Sequence, residues 1–329
     1  MQINLAMSFN KVYVKYAYVM LTSVFENQKE GTNINLTVLH SDLGFEEQKM
    51  IKDLVCANGG QVNYVFVNTE MFPTNIPTTV DWTIETYYRL ILPEFLPEEM
   101  ERVLYIDADV IVNGPLDELY SEAFEDNVLC ACDNFGMQNF EGQNFGPYRR
   151  RMFSNHFERG LTYVNPGMMI MNLKLLRKLC NLETYIDVAR QFDFNLEMLD
   201  MDLINYVHAG HIRVLDKYKY HLLAMQSYNE GIRYDSARMV TVVHYAGHKP
   251  WQGEGPRYDI EQIWWDYAVK TPFYNEFTAK FVYECINSSY NYDKIRKLTE
   301  EKMLLNKELE MRKQLCDKLL MMVENGKEN

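Results

Sequence analysis

Short apolar runs recur along the first half of the chain, at 3–6, 34–39, 62–67, 103–112, 128–132 and 168–171. Their lengths suit buried strands. Between the first of them, residues 14–25 and 46–56 carry apolar positions at helical spacing. Strands alternating with helices predict an α/β fold with a mostly parallel sheet covered on both faces. Ligands of such sheets bind outside the carboxyl ends of the strands. The residues that close each run are therefore the place to look for chemistry.

Further along, the pattern changes. Residues 134–162 are rich in Asn, Gly, Phe and Arg without periodicity, and predict an irregular binding loop at the rim of a site. Residues 174–194 and 258–284 predict helices. In the tail, Ile295, Leu298, Lys302, Leu305, Leu309, Arg312, Cys316, Leu319 and Val323 follow steps of three and four. That spacing predicts a long amphipathic helix with heptad character. Its charges nearly balance, whereas a membrane-surface helix carries a basic excess. The tail is expected to pack on the main domain or on a second chain, as a homo-oligomer or with a partner helix, ahead of a peripheral membrane contact. The division expected is a main domain at 1–257, its helical completion at 258–292 and the tail at 293–329.

Composition narrows the class. Hydrophobic residues make up 47% of 329, enough for one large globular core. The formal net charge of -13 repels phosphate backbones, so nucleic acid is not an expected partner. A small phosphate ligand is compatible with that charge if a bound cation compensates locally. The six cysteines form no CxxC pair, and Cys130 and Cys132 lie in an apolar run. They read as buried reduced thiols, which fit the cytosol. No basic start with an apolar core marks a signal peptide, and no run approaches the ~20 residues that span a bilayer. The expectation is a cytoplasmic protein, soluble or peripheral to the inner face of the membrane.

Two segments carry the chemistry. In the first, the run Arg102-Val-Leu-Tyr-Ile enters Asp107-Ala108-Asp109. Carboxylates beside an apolar run are unfavourable to bury unless something positive compensates them. In extended chain, residues two apart face the same side and can meet one ion. An isolated Asp-x-Asp more often caps a turn, but the apolar flank and small Ala108 favour a metal. In the second, Val242-Val243 leads into His244-Tyr-Ala-Gly247-His-Lys249-Pro-Trp251. Neutral imidazole is a common metal ligand, Gly247 permits close backbone approach, and Lys249 is a point charge suited to phosphate. No GxGxxG or GxxxxGK[ST] is present, so ordinary dinucleotide and P-loop sites are unsupported.

Together these motifs resemble glycosyltransferase family 8, which includes bacterial lipopolysaccharide galactosyl- and glucosyltransferases and glycogenin. The resemblance covers about residues 1–255. It implies a single GT-A-type, Rossmann-like nucleotide-sugar-binding domain, here with a C-terminal helical extension. It also implies a DxD motif whose Asp107 and Asp109, with His244, hold a divalent metal. By the same resemblance Ala6, Ser8 and Asn10 line the uridine, and Arg89 of Thr86-Tyr-Tyr-Arg89 reaches the donor. Asp107, Ala108, Asn165, Asp200, Gly247 and Lys249 complete the donor contacts. Asp200, within Asp200-Met201-Asp202, and Asp133 are the implied catalytic carboxylates. Three positions depart from the family pattern. Ser8 replaces an acidic residue, Met201 replaces a frequent Gln, and Lys249 follows Gly247 one residue sooner than in many members.

The implied reaction is retaining transfer of glucose or galactose from a UDP-sugar to a glycan or glycolipid hydroxyl, in bacterial cell-surface polysaccharide biosynthesis. Two carboxylates with one imidazole favour Mn2+ over Mg2+. Asp200 is the candidate to steady the anomeric centre, with a donor phosphate oxygen accepting the incoming proton. Two other classes compete. One is a catalytically degenerate UDP-sugar-binding protein acting through its helical tail, which Met201 and Ser8 would suit. The other is a metal-dependent nucleotidyl- or phosphotransferase, which the uridine-loop resemblance disfavours.

Overall fold

The computed structural model describes residues 1–80, 82–134 and 146–325. Internal contacts divide the chain into two compact units, Met1–Pro250 with Tyr258–Tyr274, and Trp251–Arg257 with Asn275–Asn329.

Among the described residues the first unit carries ten strands: β1 Gln2–Ser8, β2 Asn33–His40, β3 Gln61–Phe66, β4 Arg102–Ile106, β5 Val110–Val112, β6 Leu129–Asp133, β7 Val164–Asn172, β8 Ile212–Leu215, β9 His221–Leu223 and β10 Val242–His244. Seven of them form one sheet in the order β3-β2-β1-β4-β7-β6-β8. Its pairs are parallel except where β7 runs against β4 and β6. The mostly parallel α/β architecture expected from the sequence is the one observed. Alternation along the strands builds two cores, one on each face. Leu104 and Ile106 of β4 join Leu5, Leu36 and Ile170 in one apolar cluster, while Val103 and Tyr105 join Ala6, Leu39 and Met169 in the other.

Local chemistry sets the helix boundaries. The Asn10 side chain accepts from Val12 N at 3.1 Å and opens the turn that leads into helix Val14–Glu26. That helix buries Ala17, Met20, Leu21 and Val24, one apolar face. The helical stretch expected at 174–194 is two helices, Leu173–Leu179 and Leu182–Gln191. A capping box between Asn181 and Thr184 starts the second and explains the break.

Two expectations need correction. The single strand expected over 103–112 is interrupted: β4 ends at Ile106, Asp107-Ala108-Asp109 forms a turn, and β5 joins a different sheet in the order β5-β10-β9. Burial explains the break, because two carboxylates cannot stay in an apolar ladder. The second correction concerns 134–162, where residues Pro147–Glu158 form a helix. Its polar face, with Arg150 and Arg151 exposed, hides the period, while Arg149, Met152 and Phe153 turn inward. The loop expected at 135–145 lies outside the described residues.

In the second unit, helix Ser289–Asn325 runs for 37 residues. Its stripe residues Ile295, Leu298, Leu305 and Leu309 are exposed. Gly253 N donates to Glu284 Oε2 at 2.7 Å, and a Cβ at Gly253 would meet Cys285 N at 2.6 Å, so only glycine fits there. Among the described residues, no helix is long and apolar enough to cross a membrane.

Candidate active site and metal centre

The site lies where β4 stops. Asp107 N donates to Gly167 O at 2.8 Å, which pins the turn to β7. The Asp109 carbonyl accepts from Tyr245 N at 3.0 Å, and β5 pairs antiparallel with β10 so that Val110 faces His244. Through these backbone bonds the two aspartates and His244 converge. Each offers a ligand atom within 4.8 Å of the others. Donors on opposite sides of one ion stand roughly 4 Å apart, so the three fit a cation with a small closure.

Each carboxylate is held by neighbouring groups and keeps one oxygen facing the cluster; Asp107 Oδ2 also accepts from Arg89 Nη1 at 3.5 Å. Asp107 Oδ1 accepts from Arg89 Nη2 at 2.8 Å and from Tyr105 OH at 2.9 Å. Its Oδ2 points toward Gly167, where a Cβ would lie 2.7 Å away. The same Cβ would sit 2.8 Å from His244 Nδ1, so the cluster closes only over a glycine. Asp109 Oδ1 is 3.2 Å from His244 Nε2, and Asp109 Oδ2 pairs with Lys249. Burial alone would raise the Asp109 carboxyl, but the Lys249 ammonium and the His244 ring outweigh it and hold it well below the usual carboxylate range. Gly247, at φ +86°, lets the chain double back so that Lys249 also donates to Tyr245 O at 2.9 Å.

Arg89 ties this centre to Asp200. It is buried on the 3-10 helix Ile84–Ile91, with its guanidinium 4.4 Å over the Tyr105 ring. Its Nη1 donates to Pro166 O at 2.9 Å. Its Nε lies 3.0 Å from Asp200 Oδ2 but gives its proton to Thr86 O at 3.1 Å. Asp200 Oδ2 thus receives charge attraction without a hydrogen bond. Burial pushes the Asp200 carboxyl up to about 7, with Asp107 adding to the rise and Arg89 opposing it. Helix Asp200–Val207 begins after Leu199, a buried non-glycine residue at φ +49°. Backbone strain of this kind clusters at functional sites.

The remaining expected residues are distributed around this centre. Ser8 shares a 2.7 Å hydrogen bond with Tyr105 OH, so it reaches Asp107 through Tyr105. Ala6 is fully buried between Thr37 and Tyr105, and Ala108 is also buried. Asn10 Nδ2 donates to Thr83 Oγ1 at 3.4 Å. Asn165 Oδ1 accepts from Gly167 N at 2.8 Å, and its amide donates to Asn134 Oδ1 at 2.9 Å. Asp133 ends β6 beside Val164 of β7, with Lys217 Nζ at 3.5 Å. Asp202 turns inward, accepting from Arg149 Nε at 3.1 Å, Tyr163 OH at 2.7 Å and Met198 N at 2.9 Å. Met201 packs against the apolar cluster under Tyr105.

Sequence reasoning missed Tyr105, the closing role of Gly167, and His221, whose Nε2 is 3.0 Å from His244 Nδ1. Tyr105 had a signal, because it sits two residues before Asp107 and so shares its face of the strand. His221 had none: it lies in a three-residue strand remote from His244 in the chain. Burial drives the His221 ring well below its ordinary value, so it is neutral.

Comparison with known proteins agrees with this geometry. Residues 4–255 match the profile described as Glycosyl transferase family 8. A lipopolysaccharide 1,2-glucosyltransferase of Escherichia coli is 23% identical over 257 residues, 75% of this chain and 73% of that protein. A lipopolysaccharide 1,3-galactosyltransferase of Salmonella typhimurium is 23% identical over 232 residues, 69% of this chain and 66% of that protein. The matched regions span 61% to 73% of the lengths of the first such relatives. Among solved structures, the galactosyltransferase LgtC with donor and acceptor sugar analogues superposes with a TM-score of 0.66 at 22% identity, covering 82% of this chain and 96% of that one. That likeness identifies the fold as GT-A-like, and the profile match extends over the whole strand framework that carries the aspartate turn and the histidine strand. The chain belongs to glycosyl transferase family 8.

Proposed function

We propose that the chain is a metal-dependent, retaining hexosyltransferase that moves glucose or galactose from a UDP-sugar to a hydroxyl of a glycan or glycolipid. The observation that carries this is the convergence of Asp107, Asp109 and His244 within 4.8 Å around Gly167, where a Cβ would press on both Asp107 and His244. Family membership and the glucosyl- and galactosyltransferase relatives support the substrate class. Asp107 Oδ2, Asp109 Oδ1 and His244 Nε2 would hold the ion, with Mn2+ preferred over Mg2+ by the imidazole. When bound, the ion supplies positive charge against the UDP leaving group.

The chain's own groups do the rest. Lys249, on Asp109 in the absence of donor, moves to a phosphate oxygen. Arg89 fixes Asp107 and Asp200 relative to each other, and the Asp200 carboxylate steadies the anomeric centre. The new bond forms on the face the leaving group departs from, and a donor phosphate oxygen takes the acceptor proton. Ala6, Ser8 and Asn10 hold the uridine, while Ala108, Asn165, Gly247 and Asp133 complete the donor contacts. We assign catalysis to 1–257 with 258–292 as its completion. The tail 293–329, whose stripe is exposed at Ile295, Leu298, Leu305 and Leu309, is assigned to a second chain, and the reaction to the cytoplasmic side, in cell-surface polysaccharide synthesis.

The test is UDP release from UDP-glucose and UDP-galactose with Mn2+, Mg2+ or EDTA, with product configuration read by NMR. Release that EDTA leaves undiminished overturns the metal role. Binding of UDP-sugar with Mn2+ but no release with any acceptor overturns catalysis and leaves the degenerate binding protein.

A further inference from the structure

His221 is a second histidine at the same centre, and the reaction proposed above makes no use of it. We infer that His221 is a positioning residue that fixes the tautomer and ring plane of His244 for a divalent cation. The inference rests on the metal site proposed for Asp107, Asp109 and His244.

β9 and β10 run parallel, with His221 beside Val242 and Leu223 beside His244. His221 Nε2 and His244 Nδ1 are 3.0 Å apart, the ring centroids are 5.2 Å apart, and the planes differ by 12°. The centroid separation is close to the nitrogen separation plus two ring radii. The rings therefore lie nearly coplanar and edge to edge, which is hydrogen-bond geometry and not face-to-face stacking.

A hydrogen bond between two imidazoles places a proton on one of the facing nitrogens and a lone pair on the other. His244 Nε2 faces Asp109 Oδ1 at 3.2 Å and is the atom that would meet the ion. A ligating nitrogen must be unprotonated, so the His244 proton sits on Nδ1 and is donated to His221 Nε2. Were His221 the donor instead, His244 would carry its proton on Nε2 and could not ligate. An acceptor at position 221 selects the competent form. Metal-bound histidines are commonly held this way through their other nitrogen.

Packing alone does not explain a histidine here. His221 is about fully buried, and its Nδ1 has no partner among the described residues. Burying such an atom is unfavourable, and phenylalanine would fill the space without it. Gly167, packed against the His244 ring, restricts that ring from another side.

The experiment titrates Mn2+ into the full-length protein with UDP, reading free Mn2+ by EPR, for wild type, His221→Gln and His221→Phe. Glutamine offers an acceptor near the position of Nε2, whereas phenylalanine offers none. His221→Phe is expected to weaken Mn2+ binding by roughly 10–100-fold and His221→Gln to stay within about threefold of wild type, with metal-free melting temperatures alike. Equal weakening in both variants, or none in His221→Phe, overturns the inference. A wild type that takes up no Mn2+ overturns the metal site itself. If His221→Phe does not fold, long-range proton–nitrogen NMR of histidine-labelled wild type with Mg2+ and UDP decides. A His244 proton on Nδ1 supports the inference, and one on Nε2 overturns it.

Discussion

Gly167→Ala tests whether the three ligand groups form one cluster. The added Cβ would stand 2.7 Å from Asp107 Oδ2 and 2.8 Å from His244 Nδ1, and closer still to His244 Cε1. Ordinary non-bonded contacts are about 3.5–4.0 Å, so Asp107 Oδ2 must retreat by roughly 0.8 Å and the His244 ring, whose Cε1 is nearest, by more. The backbone cannot retreat for them, because Gly167 N donates to Asn165 Oδ1 at 2.8 Å and Gly167 O accepts from Asp107 N at 2.8 Å. Metal sites tolerate ligand errors of about 0.2 Å, and the forced movement is several times that. Mn2+ affinity should fall at least about 100-fold, near 2.7 kcal/mol. Overpacking should lower stability by about 1–3 kcal/mol. Gly247→Ala is the control: at φ +86° it strains the backbone by about 1 kcal/mol, but open space surrounds its Cβ. It should lose stability and keep Mn2+ affinity in the absence of UDP. EPR titration of Mn2+ and metal-free melting measure both effects. A Gly167→Ala protein that binds Mn2+ within threefold of wild type and melts with it would refute the reasoning.

Three further outcomes are expected. Asp109→Asn keeps the side-chain shape but removes the charge that holds Lys249 and would hold the cation, so UDP release should drop to background while the fold, followed by circular dichroism, persists. Asp200 titrates near 7 in the fold but in the ordinary carboxylate range when unfolded. The native state therefore binds that proton more tightly; its stabilisation is complete below about 4 and is lost as pH rises through about 7. In EDTA, wild type should lose stability relative to Asp200→Asn between pH 4 and 7 and track it above; parallel curves would show that burial does not raise this carboxyl. Met201 packs on the core, so Met201→Gln should leave UDP release unchanged or raised, and a large fall with Mn2+ binding intact would assign Met201 a part in the chemistry.

The strand framework was legible because burial writes itself into the sequence as apolar runs. β1, β2, β3, β6 and β7 all fall on such runs. Asp107, Asp109 and His244 were legible for the same reason, since each follows an apolar run that it interrupts. Other features depend on partners far along the chain. The end of β4 at Ile106 follows from β5 pairing with β10, more than a hundred residues away. His221 contributes only through a neighbour on another strand. The helix Pro147–Glu158 turns Arg149 toward Asp202, and a buried arginine disguises the apolar face that periodicity would otherwise reveal. Ser8 departs from the family pattern, yet its hydroxyl bonds Tyr105 and so extends the chain of contacts to Asp107.

The break between β4 and β5 also explains why the ligands can be so far apart in sequence. Had 103–112 continued as one strand, Asp107 and Asp109 would have faced one side of the main sheet, with His244 on a strand that does not belong to it. Instead the chain turns at Ala108 and β5 leaves for the three-stranded sheet, where antiparallel pairing sets His244 against Val110, one residue beyond Asp109. Asp107 stays with the main sheet through Gly167, and Asp109 goes with the small one through Tyr245. Each carboxylate is anchored to a different sheet, so the distance between them is set by the three-residue turn. A cation bridging them would join the carboxyl end of β4, in the middle of the main sheet, to the small sheet, and its loss would loosen that junction and the ligand set together.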